Sequence, residues 1–134
     1  MLKRHPVIEA LSAFASLRAL PKKELRALAR AGKQVEHPAG ATIIEQGAGA
    51  AALHVVLDGK ARVEIDGATV ATLGPGDVFG EMAFLQNAPR SATVISESPV
   101  KLHSVTAWNV PALLEGAPEL TRTVVDQMRT RRGD

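Results

Sequence analysis

Leu53-His54-Val55-Val56-Leu57-Asp58-Gly59-Lys60-Ala61-Arg62-Val63-Glu64-Ile65-Asp66-Gly67 is the stretch on which the fold turns. Leu53, Val55 and Leu57 alternate with His54 and Val56, and Ala61, Val63 and Ile65 alternate with Arg62, Glu64 and Asp66. A period of two with one apolar face describes half-buried β-strands. Asp58-Gly59 and Asp66-Gly67 read as hairpin turns, because such turns need positive φ, which glycine and, less readily, aspartate accept. Glycine recurs on either side: Gly47, Gly59, Gly67 and Gly76 stand 12, 8 and 9 residues apart. That rhythm predicts many short strands in a sandwich or barrel. Val70–Leu73 and Val100–Val105 supply two more.

Helical periodicity frames this core. Val7, Ile8, Leu11, Phe14 and Ala15 predict an amphipathic helix over 6–16. Pro21 suits the first position of a second helix, with Leu25, Leu28 and Ala29 on one face, Lys22, Lys23, Arg26 and Arg30 outside, and Gly32 ending it. Towards the other end, Thr106 is expected to cap a helix running to about Glu115, with Gly116 as its stop. Pro118 opens a last helix in which Leu120, Val124 and Met128 are packing positions spaced by four, with Arg129, Arg131 and Arg132 suiting its C-terminal dipole. The expected plan is one domain over 1–134: helices at about 6–32, a β-roll at about 33–105, and helices at about 106–132.

Composition narrows the classes. The 134 residues suffice for one core, 46% are hydrophobic and 22% charged, and no apolar run is long enough to span a bilayer. Without cysteine there is no disulfide, thiol or cysteine–zinc chemistry, and a reducing cytoplasm is the expected compartment. Residues 1–33 carry eight basic and two acidic side chains, residues 34–120 four basic and ten acidic, and residues 121–134 four basic and two acidic. The basic third reads as a solvated helix face, since its cations alternate with apolar positions; with three Phe, one Trp and no Tyr, direct nucleic-acid binding is not expected. His5, His37, His54 and His103 are scattered without a His-x-His or His-x-x-x-His pair, so no metal site is expected. No nucleophile has a base partner, and an enzyme is not expected.

One stretch breaks the strand pattern: Phe79-Gly80-Glu81-Met82-Ala83-Phe84-Leu85-Gln86-Asn87-Ala88-Pro89-Arg90-Ser91-Ala92-Thr93-Val94. Gly80 follows a strand and lets a ligand approach the backbone. Residues 81–86 are expected to form a helical turn or two, whose first amides offer an anion site. Arg90, nine residues after Glu81, presents a planar fork to phosphate oxygens, and Ser91 adds a hydroxyl. A carboxylate beside those amides would repel phosphate, so Glu81 suits a neutral hydroxyl. The ligand so described carries a phosphate and a nearby hydroxyl.

Phe-Gly-Glu-Met-Ala followed by Pro-Arg-Ser-Ala-Thr, over 79–83 and 89–93, resembles the phosphate-binding cassette of cyclic-nucleotide-binding domains. The Asp58-Gly59 turn and Leu73-Gly74-Pro75-Gly76-Asp77 are similar to that family too, and the likeness covers roughly residues 7–132. The resemblance implies a mostly β fold, an eight-stranded jelly-roll flanked by α-helices, with the last helix, 118–132, as a lid. It implies Gly80 and the amides near Met82 and Ala83 on the sugar phosphate, Glu81 on the ribose 2′-hydroxyl, Arg90 on the cyclic phosphate, Ser91 and Ala92 assisting, and Val63 near the base. Val125, Met128 and Arg129 are candidates to cap the base, while Arg131 is an alternative partner for Glu81. Ser91 stands where the family has Ala in cAMP binders and Thr in cGMP binders; its small size favours cAMP and its hydroxyl leaves cGMP open. No cofactor beyond the nucleotide ligand is implied. Two readings of the whole molecule follow: a small receptor acting through a partner, as a homodimer or with an effector protein, or the regulatory domain of a longer channel or kinase. The competing class is a jelly-roll that serves structure or interaction and no longer binds nucleotide, with Glu81 and Arg90 paired to each other and Gly80 serving only its turn.

Overall fold

The computed structural model describes residues 6–44, 52–80 and 92–131, and the side chains of 7–44, 53–80 and 92–127. Helices α1 (Pro6–Ser12), α2 (Ala15–Arg18) and α3 (Lys22–Ala31) come first. Strands β1 (Gly32–His37), β2 (Thr42–Ile44), β3 (Ala52–Asp58), β4 (Ala61–Ile65), β5 (Ala68–Leu73), β6 (Val78–Phe79), β7 (Thr93–Ser96) and β8 (Val100–Thr106) follow. A short 3-10 turn (Ala107–Asn109) then leads to α4 (Val110–Gly116) and α5 (Pro118–Arg131).

The strands form two four-stranded antiparallel sheets, ordered β1-β8-β3-β6 and β2-β7-β4-β5. Consecutive strands alternate between sheets except at β4–β5, and that interleaving makes the β core an eight-stranded jelly-roll. The helices cover the outer face of the first sheet. Leu11, Leu28, Val55, Val105 and Val124 pack there, whereas Val56, Phe79, Val94 and Leu102 fill the space between the sheets. Burying such a side chain contributes roughly 1.5–3 kcal/mol, so these two layers dominate stability.

The sandwich of helices, sheet and sheet corrects the reading of β3. Its alternation predicted one buried face, yet Leu53, His54, Val55 and Val56 are all buried, because β3 lies between the helices and the second sheet. The two Asp-Gly turns also separate. Asp66 (φ 51°) and Gly67 (φ 82°) are both left-handed and close the β4–β5 hairpin as expected. Asp58-Gly59 closes no hairpin: β3 and β4 belong to different sheets, and the chain crosses between them there. The crossing is held by the β7–β8 connection, where Glu97 N–H donates to Lys60 O (2.8 Å) and Lys60 N–H to Ser98 Oγ (3.0 Å).

The helix ends differ from expectation in detail. The 6–16 helix is broken, because Phe14 is extended (φ −98°, ψ 130°) and its ring packs against Gly76. Gly32 does not cap α3 in a left-handed conformation; it is extended and opens β1, where a Cβ would fall 2.6 Å from Ser104 O and 2.8 Å from His103 Nε2. Thr106 finishes β8 in an extended conformation without a side-chain cap bond, and Asn109 Nδ2 instead donates to Ala31 O at 3.3 Å. On α3 the expected face holds: Leu25, Leu28 and Ala29 are buried while Lys22, Lys23, Arg26 and Arg30 are exposed. The last helix opens at Pro118 with Leu120 and Val124 buried.

Candidate functional site

The site begins with the turn that aims the chain into β6. Asp77 N–H donates to Gly74 O (3.0 Å), and Asp77 Oδ2 accepts from Gly74 N–H (2.8 Å), closing Gly74-Pro75-Gly76-Asp77 from both sides. Proline second and glycine at φ 92° third are the residues a type II turn requires. The turn is then stitched to β3, with Val56 N–H donating to Asp77 O (2.9 Å) and Gly76 N–H to Val56 O (2.8 Å).

β6 is two residues long and wholly buried. Phe79 stacks on His54 with ring centroids 4.8 Å apart, and His54 Nδ1 lies 2.7 Å from Ser104 Oγ. The three side chains lie on adjacent strands, since His54 pairs with both Phe79 and Ser104. On the other side of β6, Val78 N–H donates to Gln127 Oε1 of α5 (2.9 Å), and Gln127 Nε2 donates to Gly76 O (3.4 Å).

Gly80 follows directly, half-buried, at φ 91°. A residue with a Cβ pays roughly 1–2 kcal/mol for that conformation, so glycine here is demanded by the backbone. Ala92 immediately precedes β7, and Val63 of β4 pairs with Val94 of β7, packing against the core between the sheets. The structure thus brings Val63 beside the exit of the candidate segment and Gly80 to its entrance. Entrance and exit belong to different sheets, so residues 81–91 connect the two. Glu81, Met82, Ala83, Arg90 and Ser91 lie outside the described residues, as does the expected helical turn at 81–86. Val125 is half-buried on α5; the side chains of Met128, Arg129 and Arg131 are outside the description.

Sequence reading missed Gln127, and it met His54 only as an alternating strand position and as one of four scattered histidines without a metal-binding pattern. Neither carries a local signal: Gln127 acts 49 residues from Val78, and His54 acts 50 residues from Ser104. Among the described residues no group of three His, Cys, Asp or Glu side chains is placed to hold a metal, and no helix is long and apolar enough to cross a membrane.

The family model for the cyclic nucleotide-binding domain matches residues 34–116, from β1 through α4 and across the whole candidate segment. The chain belongs to the cyclic nucleotide-binding domain family. The Pycsar effector protein XpPycTIR of Xanthomonas perforans is similar to this cyclic nucleotide-binding domain, 33% identical over 105 residues, which are 78% of this chain and 35% of that protein. A cyclic nucleotide-gated potassium channel of Rhizobium etli is 35% identical over 96 residues, 72% of this chain and 27% of the channel. The chain therefore spans about a third or less of the length of these curated relatives. Among solved structures, the regulatory domain of Toxoplasma gondii PKA with cAMP superposes with a TM-score of 0.71 at 30% identity, over 84% of this chain and 46% of that one.

Proposed function

We propose that this domain binds a cyclic nucleotide, with cAMP favoured over cGMP, and works as a regulatory module rather than an enzyme. The observation that carries the reading is Gly80 at φ 91°, three residues beyond a braced turn and at the mouth of the Gly-Glu-Met-Ala…Arg-Ser-Ala segment inside the family match. In this reading Arg90 pairs with the cyclic phosphate, Glu81 accepts from the ribose 2′-hydroxyl, and the amides of Gly80, Met82 and Ala83, with Ser91 and Ala92, complete the phosphate's hydrogen bonds. Val63 borders the base. A singly charged phosphodiester needs one cation and several neutral donors, and this set supplies them.

The last helix carries the signal, because a ligand regulates only by preferring one arrangement of a movable element. The relatives' names point to effectors and channels, so the module acts within or upon a larger partner, in a reducing cytoplasm; a homodimer is the alternative assembly. Calorimetric titration of nucleotide-free protein with cAMP and with cGMP tests the reading. Micromolar or tighter binding is expected, and Arg90→Ala should weaken it by about 30- to 1000-fold, roughly 2–4 kcal/mol. Absence of heat and of any melting shift with both nucleotides would leave a jelly-roll serving structure or interaction.

A further inference from the structure

Among the described residues β6 is the edge strand of its sheet, and it is only two residues long. Its inner side bonds β3, and Val78 N–H and Gly76 O point the other way. Those two groups, the amide of one residue and the carbonyl two residues before it, are the pair that a neighbouring parallel strand would engage. Gln127 engages both: its Oε1 accepts from Val78 N–H at 2.9 Å and its Nε2 donates to Gly76 O at 3.4 Å. A side-chain amide has the donor and acceptor of a peptide group, so Gln127 bonds β6 as one residue of a neighbouring strand would.

Gln127 also lies one helical turn beyond Val124, which is fully buried in the core under α5. The helix is thereby fastened through an apolar contact and, one turn on, a polar one. The polar contact ends two residues before Gly80. We propose that Gln127 is a positioning residue for the ligand segment, tying the last helix to the strand that enters it, so that the placement of Gly80 and of α5 are coupled through one side chain. The inference rests on the binding reading above and adds the residue that transmits it. Coupling is reciprocal: whatever the ligand does to residues 76–80 must be felt at α5, and whatever displaces α5 must alter affinity by the same factor.

The test compares the parent with Q127M, which keeps the length but neither polar group, and with Q127E, which keeps the acceptor for Val78 N–H. Affinity for cAMP is measured by calorimetry, and amide hydrogen exchange is followed at Val78 and along α5 with and without cAMP. In Q127M the Val78 amide should exchange faster, affinity should fall about five- to tenfold, the worth of one hydrogen bond, and α5 should cease to respond to nucleotide. Q127E should restore most of the affinity and the α5 response, which a merely structural loss would not produce. Q127A gives the same comparison as Q127M, so a folding defect in one variant does not decide the outcome. A parent that binds beside Q127M and Q127A variants of unchanged affinity and unchanged α5 response overturns this inference alone. A parent that takes up no cyclic nucleotide overturns the binding reading, and this inference with it.

Discussion

The carboxylate of Glu24, in α3, accepts a hydrogen bond of 2.8 Å from the backbone amide of Leu120, in the first turn of α5. Both residues are buried, with Glu24 2% exposed. The first amides of a helix have no partner within it, and an acidic group placed there also suits the positive end of the helix dipole. Glu24 thus does for α5 what a capping residue of its own sequence usually does. Replacing it with Ala leaves a buried amide unsatisfied, at a cost of about 1–3 kcal/mol. Melting of Glu24→Ala should fall by roughly 3–5 °C per kcal/mol for a domain of this size. Glu24→Gln keeps an acceptor and should lose less. A Glu24→Ala protein melting with the parent would show that water replaces the carboxylate.

Gly80 separates folding from binding. Gly80→Ala forces a Cβ into the left-handed region at φ 91°, a strain of roughly 1–2 kcal/mol. The segment can relieve that strain by moving, and the amides proposed for the phosphate move with it. Affinity for cAMP should drop by at least about tenfold while the far-ultraviolet circular dichroism is retained. Parent-like affinity in Gly80→Ala would dissociate this conformation from ligand binding.

Ser91 is expected to set selectivity. If, as the binding reading has it, the Ser91 hydroxyl meets a guanine amino group, Ser91→Ala should lower the preference for cGMP relative to cAMP and Ser91→Thr should raise it. One neutral hydrogen bond corresponds to about a fivefold change in the ratio. A ratio that moves in neither variant would assign selectivity to another residue.

His103 makes stability depend on pH. Its imidazole is fully buried, with Nε2 2.7 Å from Leu28 O and Nδ1 without a partner. Desolvation by burial pushes it below its ordinary pKa of 6.5, and the bond to Leu28 opposes that only in part. The folded chain therefore takes up this proton at lower pH than the unfolded chain does. Its contribution is fully present above 6.5 and is lost as pH falls from there towards the folded-state value. His103→Gln retains a donor for Leu28 O and does not titrate. Melting temperatures from pH 7.5 down through this window should decline more steeply for the parent than for His103→Gln; parallel profiles would exclude His103 as the source.

Gly32 is tied to the same place. A Cβ there would meet Ser104 O at 2.6 Å and His103 Nε2 at 2.8 Å, distances that require backbone or a buried ring to shift. Gly32→Ala should destabilise by about 1–3 kcal/mol through overpacking, read as an earlier denaturation midpoint with an unchanged slope. A midpoint equal to the parent's would show that β1 yields without cost.

What was legible in the sequence was what short-range patterns encode. The Asp66-Gly67 hairpin, the apolar face of α3, the strand at Val100–Thr106 and the start of α5 at Pro118 follow from local periodicity and turn chemistry. β1 escaped, because Gly-Lys-Gln-Val-Glu-His has no apolar alternation and is held by backbone pairing with β8. The Asp58-Gly59 hairpin was misread for a related reason: the dipeptide supplies a left-handed residue, but whether the chain folds back or crosses over depends on partners some 40 residues away. At the site, the Gly-Glu…Arg-Ser spacing was visible as chemistry. The supports around it, Gln127, His54 with Phe79, and Phe14 against Gly76, were not, since each is defined only once distant strands and helices meet.

The pairing of Gly32 with Val105 has a consequence for how the roll comes apart. The polypeptide enters and leaves the roll at adjacent points, and the helices before and after it cover the outer face of the same sheet. Both ends of the roll are closed by one ladder of backbone hydrogen bonds, so opening either end opens the other.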